Sequence, residues 1–209
     1  MRGMFIAFEG GEAAGKSTQE ALLAASLAQA GRAVVRTREP GGTPAGEAIR
    51  ELVLSPAYEG MDPHAEALLF AAARGEHVAR VIRPALQRGA IVVCDRFIDS
   101  SIAYQGVARG LGIERVRELS LWATDGLLPD LTIVLDIDPV VGLGRVTSPD
   151  RLESESVAYH QQVRRAFLDL AAAEPDRYLV LDAGATPRDI ADRVWQRVAD
   201  ELAAHGVNR

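Results

Sequence analysis

Short, mostly apolar runs alternate with longer amphipathic stretches along the whole chain. Met4–Phe8, Ala33–Arg38, Ala90–Cys94 (ending at Asp95), Leu131–Leu135 and Tyr178–Leu181 read as five strands. Between them, helical spacing predicts Ser17–Ala30, stopped by Gly31, and Pro44–Leu54, with Thr43 as N-cap and proline in the first turn. A long helix opens at Asp62-Pro63 and is expected to end near Ile82, ahead of Pro84; a further turn ends at Gln87-Arg88-Gly89. Ile113–Gly126, Val140–Val146, Glu155–Ala173 and Pro187–His205 complete the helices. In the last one Ile190, Val194, Val198 and Leu202 recur at i+4 and mark one buried stripe. Strands apolar on both faces that alternate with helices imply an α/β fold with a five-stranded parallel sheet covered by helices on both faces. In such sheets the ligand lies beyond the carboxyl ends of the strands. No repeat, low-complexity block or Ser/Gly linker interrupts the pattern, so residues 1–209 are expected to form one domain.

Composition narrows the function classes. The chain has 209 residues, 48% apolar and 25% charged, which suits an ordinary soluble domain that needs no staple. The net charge of −6 argues against a surface that coats nucleic acid. Cys94 is alone, so no internal disulfide forms and a reducing, cytoplasmic compartment is the expectation. No apolar run reaches the roughly 18 residues of a membrane span, and Met1–Glu9 is too short and too soon polar for a signal peptide. The four histidines have no metal-ligand spacing.

The strongest local signal is Gly10-Gly11-Glu12-Ala13-Ala14-Gly15-Lys16-Ser17, a match to G-x-x-x-x-G-K-[ST] between a strand and a helix. Glycines let the backbone fold around a phosphate with its N–H groups inward, and the helix N-terminus adds partial positive charge. Lys16 would neutralise the β- and γ-phosphates of ATP, Ser17 would ligate Mg²⁺, and Thr18 would join the ATP-binding residues. Chance would supply such a match somewhere in a chain of this length about 1% of the time. Lys16 is also the one lysine among 23 cationic residues, so a compact ammonium is required there. A guanine-specific switch is excluded, because its N-K-x-D motif needs a second lysine.

Further chemistry lies in the loops after strands two and three and in the long helix. Arg38-Glu39-Pro40-Gly41-Gly42-Thr43 is punctuated as a loop. Phe70 and Arg74 are i, i+4 and share a helix face, and so do Ser101 and Gln105. Phe70 offers an aromatic surface on which a base can stack. Each has a plainer reading, as core packing, a helix polar residue or a structural ion pair.

Taken in order, the P-loop, T-R-E-P-G-G-T (37–43), residues 68–77, D-R-F-I-D-S-S-I-A-Y-Q-G (95–106), P-D-L-T-I-V-L-D (129–136), D-R-L-E (150–153) and the final helix resemble the thymidylate kinase family over nearly the whole chain. The resemblance implies a P-loop NTPase fold and transfer of the γ-phosphoryl of MgATP to dTMP, giving dTDP and ADP in dTTP synthesis. It implies that Arg74 reads the thymine O4, that Ser101 and Gln105 contact the base, and that Tyr104 packs near the sugar. Glu9 would accept from the 3′-hydroxyl, and Pro40 would line the site. Arg38 and Arg96 would clamp the acceptor phosphate. Asp95 would hold Mg²⁺ through water or orient Arg96. A homodimer follows from the same resemblance, with the helices at 62–80 and 113–126 as candidate interface.

Phosphoryl transfer needs cations around the moving group. The variable P-loop positions carry none, and Glu12 is acidic there, as in the bacterial form of the family. The expected source is therefore a lid at about 145–155, with Arg151 chiefly and Arg145 second. The lid departs from the family pattern in that Val146-Thr147-Ser148-Pro149 has no cation. Two other readings remain at this level: a kinase for a different nucleotide or nucleoside, and a nucleotide-binding module without turnover.

Overall fold

The computed structural model describes residues 3–204. Five strands, β1 (Phe5–Gly10), β2 (Val34–Arg38), β3 (Ile91–Asp95), β4 (Leu131–Asp136) and β5 (Tyr178–Asp182), form one sheet in the order β2-β3-β1-β4-β5. Every neighbouring pair is parallel. Side-chain alternation sorts β1 between two apolar layers. Phe5 and Ala7 join a core with Val78, Ile82, Ile102, Val116, Val163 and Phe167. Ile6 and Phe8 join another with Leu23, Leu27, Ile190, Val194 and Val198. Both faces are thus covered, which is why the strands are apolar on both sides.

The helices are α1 (Lys16–Gln29), α2 (Pro44–Leu54), α3 (Pro63–His77), α4 (Arg83–Gln87), α5 (Ile98–Ser101), α6 (Ile113–Thr124), α7 (Pro139–Leu143), α8 (Val157–Ala173) and α9 (Pro187–Ala204). Thr43 caps α2 through Gly46 N, Asp62 caps α3, Asp138 caps α7 and Ser156 caps α8. Each cap is worth about 1 kcal/mol. The long third helix does not stop before Pro84. It passes through a π-helical stretch, Val78–Ile82, into α4. The widened ladder there, with proline in the first turn of the new segment, absorbs the missing N–H. Segment 98–108 is helical, and its second part, Ile102–Ala108, is wound as π. Asp125, in the left-handed region at φ 51°, ends α6 one turn residue before Gly126. The expected end of the last helix at His205 lies outside the described residues.

Register decides what meets at the carboxyl edge. Arg38 and Phe8 both stand opposite Asp95, and Gly10 stands opposite Leu135. The ends of β2, β3 and β1 therefore deliver Arg38, Asp95-Arg96 and the Gly-rich turn to one place.

Candidate active site

The turn after β1 is a backbone cradle. Gly10 (φ 135°) is required, since a Cβ there would stand 2.3 Å from the Leu135 carbonyl oxygen. Ala13 and Gly15 also take positive φ, 49° and 89°, which curls the N–H groups inward at the start of α1. Lys16 is buried; its Nζ donates to the Gly10 and Gly11 carbonyls at 3.1 and 2.8 Å. Burial and the nearby Arg96 guanidinium lower its pKa to about 8. A polyphosphate at this spot would restore the charge. Ser17 Oγ donates to Asp95 Oδ2 at 2.9 Å, and Asp95 Oδ1 is buried with no hydrogen-bond partner. An orphaned carboxylate oxygen beside a hydroxyl suits a hard cation that keeps most of its waters, as Mg²⁺ does.

Beside the cradle is a cleft lined by Phe70, Pro40, Ser101, Tyr104, Gln105, Arg96 and Glu12, among others. Arg96 sits in the left-handed region (φ 69°), which turns its side chain back across the cleft. Its Nη1 donates to the Gly10 carbonyl at 3.1 Å and its Nη2 to Glu12 Oε2 at 2.9 Å. The guanidinium also lies over the Tyr104 ring, 5.2 Å from its centroid. The Tyr104 hydroxyl donates to Glu12 Oε1. Burial pushes the Glu12 carboxyl upward, but Arg96, Lys16 and the tyrosine hydroxyl outweigh it and hold the group at about 2. Glu12 is therefore a fixed anion facing the acceptor cleft.

Two expected contacts fall elsewhere. Glu9 is fully buried and does not line the cleft; its carboxylate accepts from the Phe97 and Ser100 N–H groups and from Ser100 Oγ, at 2.8, 3.1 and 2.6 Å. It holds the start of α5. Burial, with Asp99 close by, pushes it up to about 8 despite these donors. Arg74 is 2% exposed and stands behind Ser101. Its donors go to Glu39 (2.7 Å), Ser101 Oγ (2.9 Å), Ser120 Oγ (3.1 Å) and the Phe97 carbonyl (3.2 Å). Glu39 also meets His77 Nδ1 at 3.1 Å, and His77 Nε2 lies 2.5 Å from Thr37 Oγ1. Arg74 and His77, one turn apart on α3, thus pin the loop that follows β2. Arg38, half exposed, pairs with Glu47 at 2.7 Å and lines the cradle.

Of the two lid arginines, Arg145 is the one beside the P-loop. Arg145 Nη1 reaches the Ala13 carbonyl of the P-loop at 3.2 Å. Arg151 is buried away from the P-loop: its Nε donates to the Val53 carbonyl at 2.8 Å and its Nη2 lies 2.6 Å from Glu66 Oε2. Arg164 pairs with Asp136 and Arg165 with Asp169. The sequence reading missed Arg50, which lines both the cradle and the cleft while bonding the Pro40 carbonyl at 3.0 Å. Its signal was a cation two turns into a capped helix beside the T-R-E-P-G-G-T loop. Asp150, Leu152 and Glu153, read from the sequence as part of the lid but not as site residues, also line the cleft. Among the described residues there is no cluster of three or more potential metal ligands, and no helix is long and apolar enough to cross a membrane.

The thymidylate kinase family model matches residues 8–194. The chain is 53% identical to the thymidylate kinase of Synechococcus sp. (strain JA-3-3Ab), over 96% of this chain and 98% of that protein. It is 51% identical to that of Clavibacter sepedonicus over the full length of both. The crystal structure of thymidylate kinase from Ehrlichia chaffeensis superposes with a TM-score of 0.79 at 34% identity, covering 95% of this chain and all of the other.

Proposed function

The chain belongs to the thymidylate kinase family, has its P-loop NTPase fold and phosphorylates dTMP to dTDP with ATP for dTTP synthesis, and from that premise we propose how its residues divide the work. The observation that carries the assignment is that the nucleotide cradle and the acceptor cleft are continuous: Glu12, Glu39, Arg50 and Arg96 line both. A donor phosphate at Lys16 and an acceptor phosphate at Arg96 would therefore face each other. Transfer consists of in-line attack by an acceptor phosphate oxygen on the γ-phosphorus as the bond to the bridging oxygen of ADP breaks.

In this reading the P-loop N–H groups, Lys16 and Thr18 hold the triphosphate. Ser17 and Asp95 would hold Mg²⁺, which supplies charge neutralisation at the phosphates. Arg38, Arg50 and Arg96 receive the acceptor phosphate. Phe70 stacks on thymine, with Ser101 and Gln105 at its polar edge and Arg74 holding Ser101 from behind. Tyr104 and Glu12 face the sugar, and Glu12 rather than Glu9 is the carboxylate open to its hydroxyl. Arg145 is the lid cation aimed at the transferring group, a role worth roughly 10³–10⁵ in rate where fully developed.

The test is ADP release with MgATP and dTMP, dUMP, dCMP, dGMP or AMP as acceptor. Turnover is expected chiefly with dTMP, weakly with dUMP, and to fall for Arg145→Ala. Equal rates with dTMP and dCMP would contradict the pocket, and ATP binding without ADP formation would favour a module without turnover. We also propose a homodimer through α3 and α6, supported by Leu68 (57% exposed) and Trp122 (83% exposed) on those helices. Light scattering is expected to show a dimer that Trp122→Glu weakens; a monomeric parent chain would end this idea.

A further inference from the structure

A second buried network, separate from the phosphate chemistry, centres on Glu66. This carboxylate is in the first turn of α3, at 0% exposure. Four groups from three residues, in two other parts of the chain, converge on it. Gln105 Nε2 donates to Oε1 at 2.9 Å. Arg109 donates from Nε and Nη2, both at 3.3 Å. The fourth is the Arg151 guanidinium from the lid, in ion contact but not aligned as a hydrogen bond. Arg109 in turn holds Glu155, at the far end of the lid, at 2.6 Å, and lies over the Tyr159 ring. The Arg151 backbone N–H adds a bond to the Leu54 carbonyl at 2.9 Å.

Two consequences follow from donor and acceptor chemistry alone. A carboxylate can only accept, so it fixes the Gln105 amide with nitrogen toward Glu66 and leaves the carbonyl oxygen as the group presented to the cleft. An acceptor there welcomes a base edge that carries N–H, as thymine does at N3, and rejects cytosine, which has a lone pair at that atom. The same carboxylate fastens the lid through Arg151.

We propose that Glu66 and Arg151 are positioning residues that couple recognition of the acceptor base to closure of the lid. The proposal rests on the reading of the cleft as the dTMP site and goes beyond it. Arg151 then acts through Glu66 and Gln105 and not on the transferred phosphoryl. When the correct base engages Gln105, the network is complete and the lid segment carrying Asp150, Leu152 and Glu153 is held over the cleft. A base that pulls the amide out of place loosens the lid as well.

The experiment is calorimetric titration of dTMP and dCMP, without ATP, into the parent chain, Arg151→Met and Arg151→Lys. Glu66 keeps Gln105 and Arg109 in both variants, so folding is expected to survive, and thermal unfolding checks it. Arg151→Met is expected to weaken dTMP binding about tenfold, within the range of coupled sites, and to narrow the dTMP-to-dCMP preference. ATP affinity should stay constant, and Arg151→Lys should recover most of the dTMP loss. Unchanged dTMP affinity in Arg151→Met overturns the coupling, whether turnover falls or not. Equal weakening of dTMP and dCMP also overturns it, as loss of packing alone. A parent chain that binds no dTMP overturns the acceptor-site reading itself, and the coupling with it.

Discussion

The two halves of the cleft are built by different means. The donor half is made mostly of backbone: a turn whose shape is set by glycine and positive φ, one lysine, one serine and a helix N-terminus. Its curl is set by backbone conformation, and the Lys16 ammonium bonds only backbone carbonyls of the loop, with no buried carboxylate left unpaired by its loss. The acceptor half is made of side chains that are themselves held by buried ion pairs. Ser101 is backed by Arg74, Arg74 by Glu39, and Glu39 by His77. Gln105 is backed by Glu66. The difference implies that function and stability are separable in the donor half and entangled in the acceptor half.

The sharpest way to break that comparison is Glu39→Ala. The change leaves Arg74 (2% exposed) without its best-aligned partner and His77 (0% exposed) without its carboxylate. Removing one member of a buried pair costs about 3–5 kcal/mol, because the remaining charge stays desolvated. Urea unfolding should show a loss of that size, accompanied by weaker dTMP binding. A loss under about 1 kcal/mol would mean that the acceptor half is no more dependent on its buried pairs than the donor half.

The same division explains what the sequence made legible. The P-loop is contiguous, so its spacing, flanking strand and helix could be read directly, and the five parallel strands needed only the alternation of apolar runs; their order β2-β3-β1-β4-β5 came from the structure. Phe70, Ser101, Tyr104 and Gln105 were legible as candidates because two short segments carry them. Their supports were not. Nothing in the local pattern says that Glu39 pairs with Arg74, 35 positions away, or that Glu66 collects Gln105, Arg109 and Arg151. Glu9 looked available to ligand because it ends a strand at the carboxyl edge, and the start of α5 took it. Arg151 looked catalytic because it is a cation in a lid, and its pairing with α3 depends on a long-range contact. The π-helical stretches were missed because their sequences differ little from those of an α-helix.

Next in size is Lys16→Met. Loss of a preorganised cation at the transferring phosphates is expected to lower turnover about 10²–10³-fold. Thermal stability should hold or rise, since the ammonium is buried and its partners are backbone carbonyls of the loop it serves. A substantial drop in unfolding midpoint would erase the distinction between the halves, because the donor lysine would then also be structural.

The effect that is smallest per unit of pH compares two buried ionisable groups directly. Glu9 has an ordinary pKa of 4.5 and one of about 8 in the folded chain. Between those values the folded state binds the extra proton, so its contribution to stability is present below 4.5 and is lost as pH rises through 8. Lys16 runs the other way, from 10.5 down to about 8. Between 8 and 10.5 the unfolded chain binds the extra proton, so stability rises with pH there. Neither slope can exceed about 1.4 kcal/mol per pH unit. Together the two groups place a stability minimum near pH 8 in the nucleotide-free protein. Urea midpoints of the parent chain measured from pH 5 to 10 should show it against two controls. Glu9→Gln should remove the descending limb, and Lys16→Met the ascending one. ATP should flatten only the ascending limb, by restoring the lysine's charge in the folded state. If both limbs persist in both variants, other groups control the titration, and these two buried groups are not what sets the pH response.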